Sequence, residues 1–298
     1  MAQRARSRCP VNGQPLHIQS RDNPALVAVR RALRDPGGYR RAASPLWLEG
    51  DHLLRAALAR GVSLQQVLLS ETAWDQPALR ALALQARRVL VLPRALFKEL
   101  STLESPAAIG ALVELPPAAV LRGDVATVLL DRLQDAGNVG SILRSAAALG
   151  VVQVVALKGS AALWSPKVLR AGMGAHFALQ LHEQLSLADL DTLRLPWLAT
   201  SSHAPDLLHR ATLPHPCAWV FGHEGQGVSA PLLARCASTL CIAQPGGEES
   251  LNVAAAAAIC LHESVRQRAS VEAAAGSTGF SSAARGAGGE PPAVGALT

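Results

Sequence analysis

Apolar positions along this chain follow two rhythms. Residues 23–33 place Leu26, Val29, Ala32 and Leu33 on one helical face, whereas Leu46, Trp47 and Leu48 form a short continuous apolar run. A run that brief, bounded by turn residues, predicts a strand. The exchange continues with a helix over 51–60 closed by Gly61, a strand at Val67, Leu68 and Leu69, a helix over 76–86 and a strand over 89–92. Shorter segments at 97–100 and 111–113 extend it. Alternation of this kind predicts a small α/β unit over 20–115. Residues 1–19 lack periodicity and are expected to form a basic disordered tail, and 116–123 read as a linker.

A second unit is expected over 124–268. Residues 125–130 are apolar but for Thr127, as suits a strand buried on both faces of a parallel sheet. A glycine-containing loop over 131–140 follows, then a helix with Val139, Ile142, Leu143 and Ala146 at positions i, i+3, i+4 and i+7. Gly150 is placed to cap it, and 151–157 supply the next strand, which makes a right-handed βαβ unit. Further strands are predicted over 197–200, 218–221 and 239–242, and a last helix over 252–268. Residues 269–298 are rich in Ala, Gly, Ser and Pro and are expected to be disordered.

Composition narrows the function classes. With 49% apolar residues among 298, the chain can bury the cores of two ordinary domains. No apolar run reaches the ~18 residues needed to span a bilayer, so no membrane partner is expected. The cysteines Cys9, Cys217, Cys236, Cys241 and Cys260 form no CxxC pair and no cluster with zinc spacing. They are therefore expected to be packing residues of a cytoplasmic protein, with no metal site. The net charge of +6 is concentrated: residues 1–45 hold nine arginines against Asp22 and Asp35. Such a front suits a polyanionic partner or a solvated charged face, and charge alone does not choose between them.

Three loops carry candidate chemistry. The first, Asp131-Arg-Leu-Gln-Asp-Ala-Gly-Asn-Val-Gly-Ser-Ile-Leu-Arg144, has Gly137 and Gly140 for a tight turn or close approach. In it Asn138 is placed to cap the helix or bond a ligand, and Arg144 lies off the apolar stripe. The second, Phe221-Gly-His-Glu-Gly-Gln-Gly-Val-Ser229, follows an apolar strand. Ligands in α/β folds bind at such strand ends. The third, Ile242-Ala-Gln-Pro-Gly-Gly-Glu-Glu-Ser-Leu-Asn252, leads into a helix of very small residues.

Together and in this order, the loops resemble the three motifs of the SpoU (TrmH) family of RNA 2′-O-ribose methyltransferases, within the SPOUT superfamily. The first is similar to Asp-Pro-Gly-Asn-x-Gly followed by an arginine-bearing helix, the second to Gly-x-Glu-x-x-Gly-x-Ser, the third to an Ile-Pro loop ending Ser-Leu-Asn-Val. Residues 165–175 look like the Pro-Lys stretch between them. This chain departs at Ala136, at Ala243-Gln244 and at Ala254. The resemblance implies a C-terminal trefoil-knotted parallel-sheet domain over 124–268, a topology that ordinary chain-threading rules would exclude. It also implies that 20–115 is a substrate-binding α/β domain resembling a ribosomal protein, and that the protein is a homodimer acting on ribosomal or transfer RNA. S-adenosyl-L-methionine is the implied cofactor, contacted by backbone at Gly222, Ile242 and Leu251. Asn138, Arg144, Glu224, Ser250 and Asn252 would line the reaction side. A guanidinium is a poor base, so Arg144 is expected to anchor phosphate and stabilise alkoxide charge, and Glu224 to hold a backbone or a partner's arginine. A non-catalytic RNA-binding assembly factor that kept the fold is the alternative.

Overall fold

A computed structural model describes residues 14–41, 44–101, 105–246 and 250–278, with side chains as far as 271. The first unit is a five-stranded mixed sheet in the order β1–β4–β3–β5–β2. Its strands are β1 (Leu16–His17), β2 (Leu46–Glu49), β3 (Leu64–Ser70), β4 (Arg88–Leu92) and β5 (Ile109–Val113). Around them lie α1 (Pro24–Arg34), α2 (Asp51–Ala59), α3 (Glu71–Trp74), α4 (Pro77–Ala83) and α5 (Arg94–Lys98). Strand alternation divides the side chains: Leu68, Leu90, Leu92 and Leu112 meet α1, whereas Val67, Leu69, Val89 and Val91 face the other way.

The second unit is a seven-stranded, all-parallel sheet, β10–β12–β9–β11–β6–β7–β8. Its strands are β6 (Thr127–Asp131), β7 (Gln153–Leu157), β8 (Gln180–Leu185), β9 (Trp197–Thr200), β10 (Asp206–Leu207), β11 (Ala218–Gly222) and β12 (Ser238–Cys241). Its helices are α6 (Ala136–Ala148), α7 (Pro166–Ala171), α8 (Ala230–Leu233) and α9 (Val253–Thr278). The chain lays β6, β7 and β8 outward in one direction, then β11 slots between β6 and β9, and β12 passes outside β9. The order therefore reverses between β6 and β11, a switch point where α/β sheets open a crevice. The ends of β6, β11 and β12 lead into the three loops.

The units share one core. Leu53, Leu54 and Ala57 belong to the same buried cluster as Val128, Leu143, Trp164 and Phe221. Polar groups pin the seam. The Glu183 carboxylate accepts from the Tyr39 hydroxyl at 2.7 and 2.8 Å, from Arg40 Nε at 3.2 Å and from the Leu163 amide at 2.7 Å. The Tyr39 oxygen in turn accepts from the Trp164 amide at 3.1 Å. Burial and the adjacent Glu183 charge push the Tyr39 phenol far above its ordinary range. Gly174, at φ +83°, lies so close to α2 that a Cβ there would sit 2.5 Å from Ala56 Cβ.

Several sequence expectations shift. Residues 16 and 17 pair with β4, inside the stretch expected to be a tail; residues 1–13 lie outside the described residues. β8, absent from the sequence reading, is an edge strand in which Gln180, His182 and Glu183 interrupt the apolar signal. The closing helix runs on to Thr278 because 269–278 is alanine-rich and free of proline, whereas 279–298 lie outside the described residues. The first loop is shorter than its glycines suggested. α6 begins at Ala136, so Gly137 and Gly140 are helical. Gly140 serves packing instead: a Cβ there would lie 2.4 Å from Ala171 Cβ on α7. The helix cap is Asp135, whose carboxylate accepts from the Asn138 amide at 2.7 Å.

Candidate active site

Three polar side chains, one from each loop, form a continuous hydrogen-bonded chain. Glu224, just after β11, accepts from the backbone amides of Gln134 at 3.3 Å and Asp135 at 3.1 Å, and from Asn138 Nδ2 at 3.2 Å. Asn138 Oδ1 accepts from Asn252 Nδ2 at 2.9 Å. Asn252 Oδ1 then caps α9, accepting from the amides of Ala254 at 2.9 Å and Ala255 at 3.3 Å. The arrangement joins the starts of α6 and α9 across the mouth of the sheet. Partial burial raises the Glu224 pKa, but the converging amides and the Asn138 side chain outweigh it and hold the carboxyl below its usual range. Glu224 is thus an engaged acceptor and a weak base.

A second tie lies beneath. Asp131, 2% exposed at the end of β6, accepts from the Ser229 amide at 2.7 Å and from Arg132 Nε at 3.0 Å. Arg132 holds φ at 58°, a left-handed conformation that a non-glycine residue adopts at a cost. Its guanidinium reaches Gln226 Oε1 at 3.0 Å, so the first and second loops are clasped at two depths. Gly222 admits no side chain, because a Cβ there would lie 2.1 Å from Gly227 C, where the second loop folds back on its own start.

A family model described as the SpoU rRNA Methylase family matches residues 126–262. A Synechocystis protein named an uncharacterized tRNA/rRNA methyltransferase is 34% identical over 272 residues, which are 87% of this chain and 97% of that protein. This chain belongs to the SpoU family. A Bacillus subtilis 23S rRNA (guanosine(2553)-2′-O)-methyltransferase is 28% identical over 220 residues, covering 72% of this chain and 86% of the relative. Among solved structures, an RNA 2′-O ribose methyltransferase aligns with a TM-score of 0.73 at 30% identity, over 85% of this chain and all of that one. The SpoU methyltransferase AviRb from Streptomyces viridochromogenes, in complex with AdoMet, aligns with a TM-score of 0.74 at 26% identity, over 83% and 99%. The second unit is thus of the parallel-sheet class of the SpoU (SPOUT) methyltransferases.

Within this SpoU protein the structure unites Asn138, Glu224 and Asn252 and keeps two expected residues apart from them. Arg144 is exposed on α6 with no hydrogen-bond or ion-pair partner among the described residues. Six residues of helix turn it about 120° around the axis from Asn138 and carry it about 9 Å along. Ser250 and Leu251 are exposed just before α9, without a hydrogen-bond partner among the described residues, and Ile242 is half-buried after β12. In the third loop Gln244 Oε1 is buried and accepts no hydrogen bond among the described residues. Asp131, Arg132, Asp135 and Gln226 were not singled out from the sequence. Asp131 had a signal, a lone carboxylate closing an otherwise apolar strand. Among the described residues no group of three or more His, Cys, Asp or Glu could hold a metal, and no helix is long and apolar enough to cross a membrane.

Proposed function

We propose that this chain is an S-adenosyl-L-methionine-dependent RNA methyltransferase that transfers a methyl group to a ribose 2′-hydroxyl. The observation that carries the reading is the Glu224–Asn138–Asn252 chain, which locks three loops around one crevice at the sheet's switch point. The residues present fit the cofactor. Gln244 Oε1 in the third loop is a buried acceptor with no donor among the described residues, the second loop is preformed around Gly222, and Ile242 and Leu251 stand at the two ends of the third loop. Gly222, Ile242 and Leu251 would hold it. The bound cofactor supplies an electrophilic methyl group.

The chain's own residues supply position and charge. Arg144 has no acidic partner among the described residues, which leaves its fork available for an RNA phosphate or for developing charge on the 2′-oxygen. Asn138 and Asn252 fix the loops, and Ser250, with no hydrogen-bond partner among the described residues, would orient the ribose. Glu224 acts on the backbone of the first loop, since a carboxylate committed to three donors takes up a proton poorly. The turn of Arg144 away from Asn138 favours a homodimer in which a second copy completes the reaction side. Exposed Ser141, Arg144 and Ala148 on α6 and Ala255 and Ile259 on α9 offer a face of mixed small, apolar and basic residues for it. The intact motif chain argues against a non-catalytic assembly factor. Labelled S-adenosylmethionine incubated with the full chain and total ribosomal or transfer RNA should leave label on ribose 2′-oxygens; label absent from ribose after complete digestion would overturn the reading.

A further inference from the structure

A cleft of about 540 Å³ lies away from the three motif loops, where α1 and the segment leading to β2 face the start of α7. Its volume is in the range of small-molecule sites. Val27, Trp47, Trp164 and Pro166 give it apolar and aromatic walls, and Asp22 and Arg31 stand among its polar lining residues. Two features mark it as more than a packing gap. Trp47 is 1% exposed, yet its indole Nε1–H has no hydrogen-bond partner among the described residues. A buried donor left over in a cleft wall is a place for an incoming acceptor. The side chains of Asp22 and Arg31 likewise make no hydrogen bond or ion pair among the described residues, so a carboxylate acceptor and a guanidinium stand uncommitted in the lining of the same cleft.

We infer that this cleft receives one unstacked, amino-bearing nucleobase of the RNA, at a subsite separate from the methyl-transfer crevice. The inference rests on the RNA reading above and adds a specificity element to it. Single-stranded bases are recognised by aromatic walls together with hydrogen bonds to their edges. Here Trp47 Nε1–H donates to a ring nitrogen or carbonyl, Asp22 accepts from an exocyclic amino group, and Arg31 pairs with the adjoining phosphate. Adenine, cytosine and guanine each offer both an acceptor and an amino group, whereas uracil lacks the amino group. Trp164 joins the cleft to the Tyr39–Glu183 network through its backbone amide, so an occupant also touches the seam between the units.

The test uses the full chain and single-stranded oligoadenylate, oligocytidylate and oligouridylate of about ten nucleotides, read by fluorescence anisotropy with thermal melting alongside. Wild type should bind the adenylate and cytidylate about tenfold tighter than the uridylate, the value of one well-made polar contact. Asp22→Asn, an exposed change that spares the fold, should erase most of that preference, and Trp47→Phe should weaken all three ligands while S-adenosylmethionine affinity stays unchanged. Tight binding with no base preference, or a preference that survives Asp22→Asn, overturns the inference and leaves the methyltransferase reading standing. Failure to bind any RNA would sink the RNA reading itself. A cleft filled instead by another segment of this chain or by a protein would show as a melting-temperature loss in Trp47→Phe with no change in oligonucleotide binding, and that also overturns it.

Discussion

Replacing Glu224 with Gln keeps the size of the side chain but turns one carboxylate oxygen into an amide that can only donate. Three donors converge on that carboxylate, the Gln134 and Asp135 amides and Asn138 Nδ2, at 3.1 to 3.3 Å. A glutamine can meet two of them at most with its one oxygen, and its own N–H groups then face a donor. Hydrogen bonds to a buried charge are worth roughly 1.5–3 kcal/mol each. Glu224 is exposed, so water replaces much of each bond and about 0.5 kcal/mol apiece is the better figure. At least one bond is lost and one donor is set against another, together about 1 kcal/mol, which lowers the melting temperature of a chain this long by about 2–3 °C. Its effect on function should be larger, because the first loop loses its tie to the second: S-adenosylmethionine affinity and turnover should both fall about tenfold or more. The carboxyl's folded pKa lies below the reference value of 4.5. Its stabilisation is therefore complete above that value and is lost as pH falls through the folded one. The stability gap between wild type and Glu224→Gln should be widest near neutral pH and close in acid. Calorimetric melts across pH, with isothermal titration of the cofactor, read both effects. A variant with wild-type stability and cofactor affinity but a displaced pH–rate profile would refute the reasoning and make Glu224 the base.

Arg144→Ala should leave cofactor affinity intact and slow methyl transfer by about 10²-fold in single-turnover assays, as for a group acting mainly in the transition state. Wild-type turnover would reduce it to a surface residue. Gly140→Ala drives a methyl group to within 2.4 Å of Ala171 Cβ, so urea unfolding should show about 1–3 kcal/mol of lost stability. An unchanged midpoint would mean that α6 and α7 part freely. Arg40→Ala leaves Glu183, whose side chain is 13% exposed, short of its cation, and should cost about 2–3 kcal/mol in the same assay.

Much of the parallel sheet was legible because a strand buried on both faces leaves a continuous apolar run, as in β6, β7, β9 and β11. Edge strands were not: β8 mixes Gln180, His182 and Glu183 with leucines, since one side of an edge can stay polar. The start of α6 was misplaced for a related reason. Gly137 and Gly140 read as turn residues, but glycine also permits close helix packing, and only the position of α7 reveals which use applies. In the site, Asn138, Glu224 and Asn252 were found by motif, not by periodicity, and their mutual bonds could not be read from positions up to 114 residues apart. The seam was invisible as well, because Tyr39 and Glu183 are 144 residues apart and neither belongs to a motif.

The basic front of the chain divides into arginines that hold the fold and arginines that remain available. Arg21 pairs with Glu99, Arg40 with Glu183 and Arg41 with Asp35, and Arg30 donates to the Arg21 carbonyl. Arg31 and Arg34 have no side-chain partner among the described residues, and Arg4, Arg6 and Arg8 lie outside them. Counting all nine as RNA contacts therefore overstates the electrostatic footprint. Removing the whole first unit is a poor measure of it too, because that unit shares a core cluster with the second. Changing Arg31 and Arg34 together to Ala spares every ion pair named above. Each phosphate contact on single-stranded RNA contributes a slope of about −0.7 in log K against log salt. The double variant should flatten the slope by about 1.4 units if both side chains meet phosphate, with melting temperature and S-adenosylmethionine affinity unchanged. Fluorescence anisotropy at several salt concentrations reads it. A slope equal to wild type would mean that the RNA backbone bypasses α1 and that its counterion release comes from arginines and lysines elsewhere on the chain.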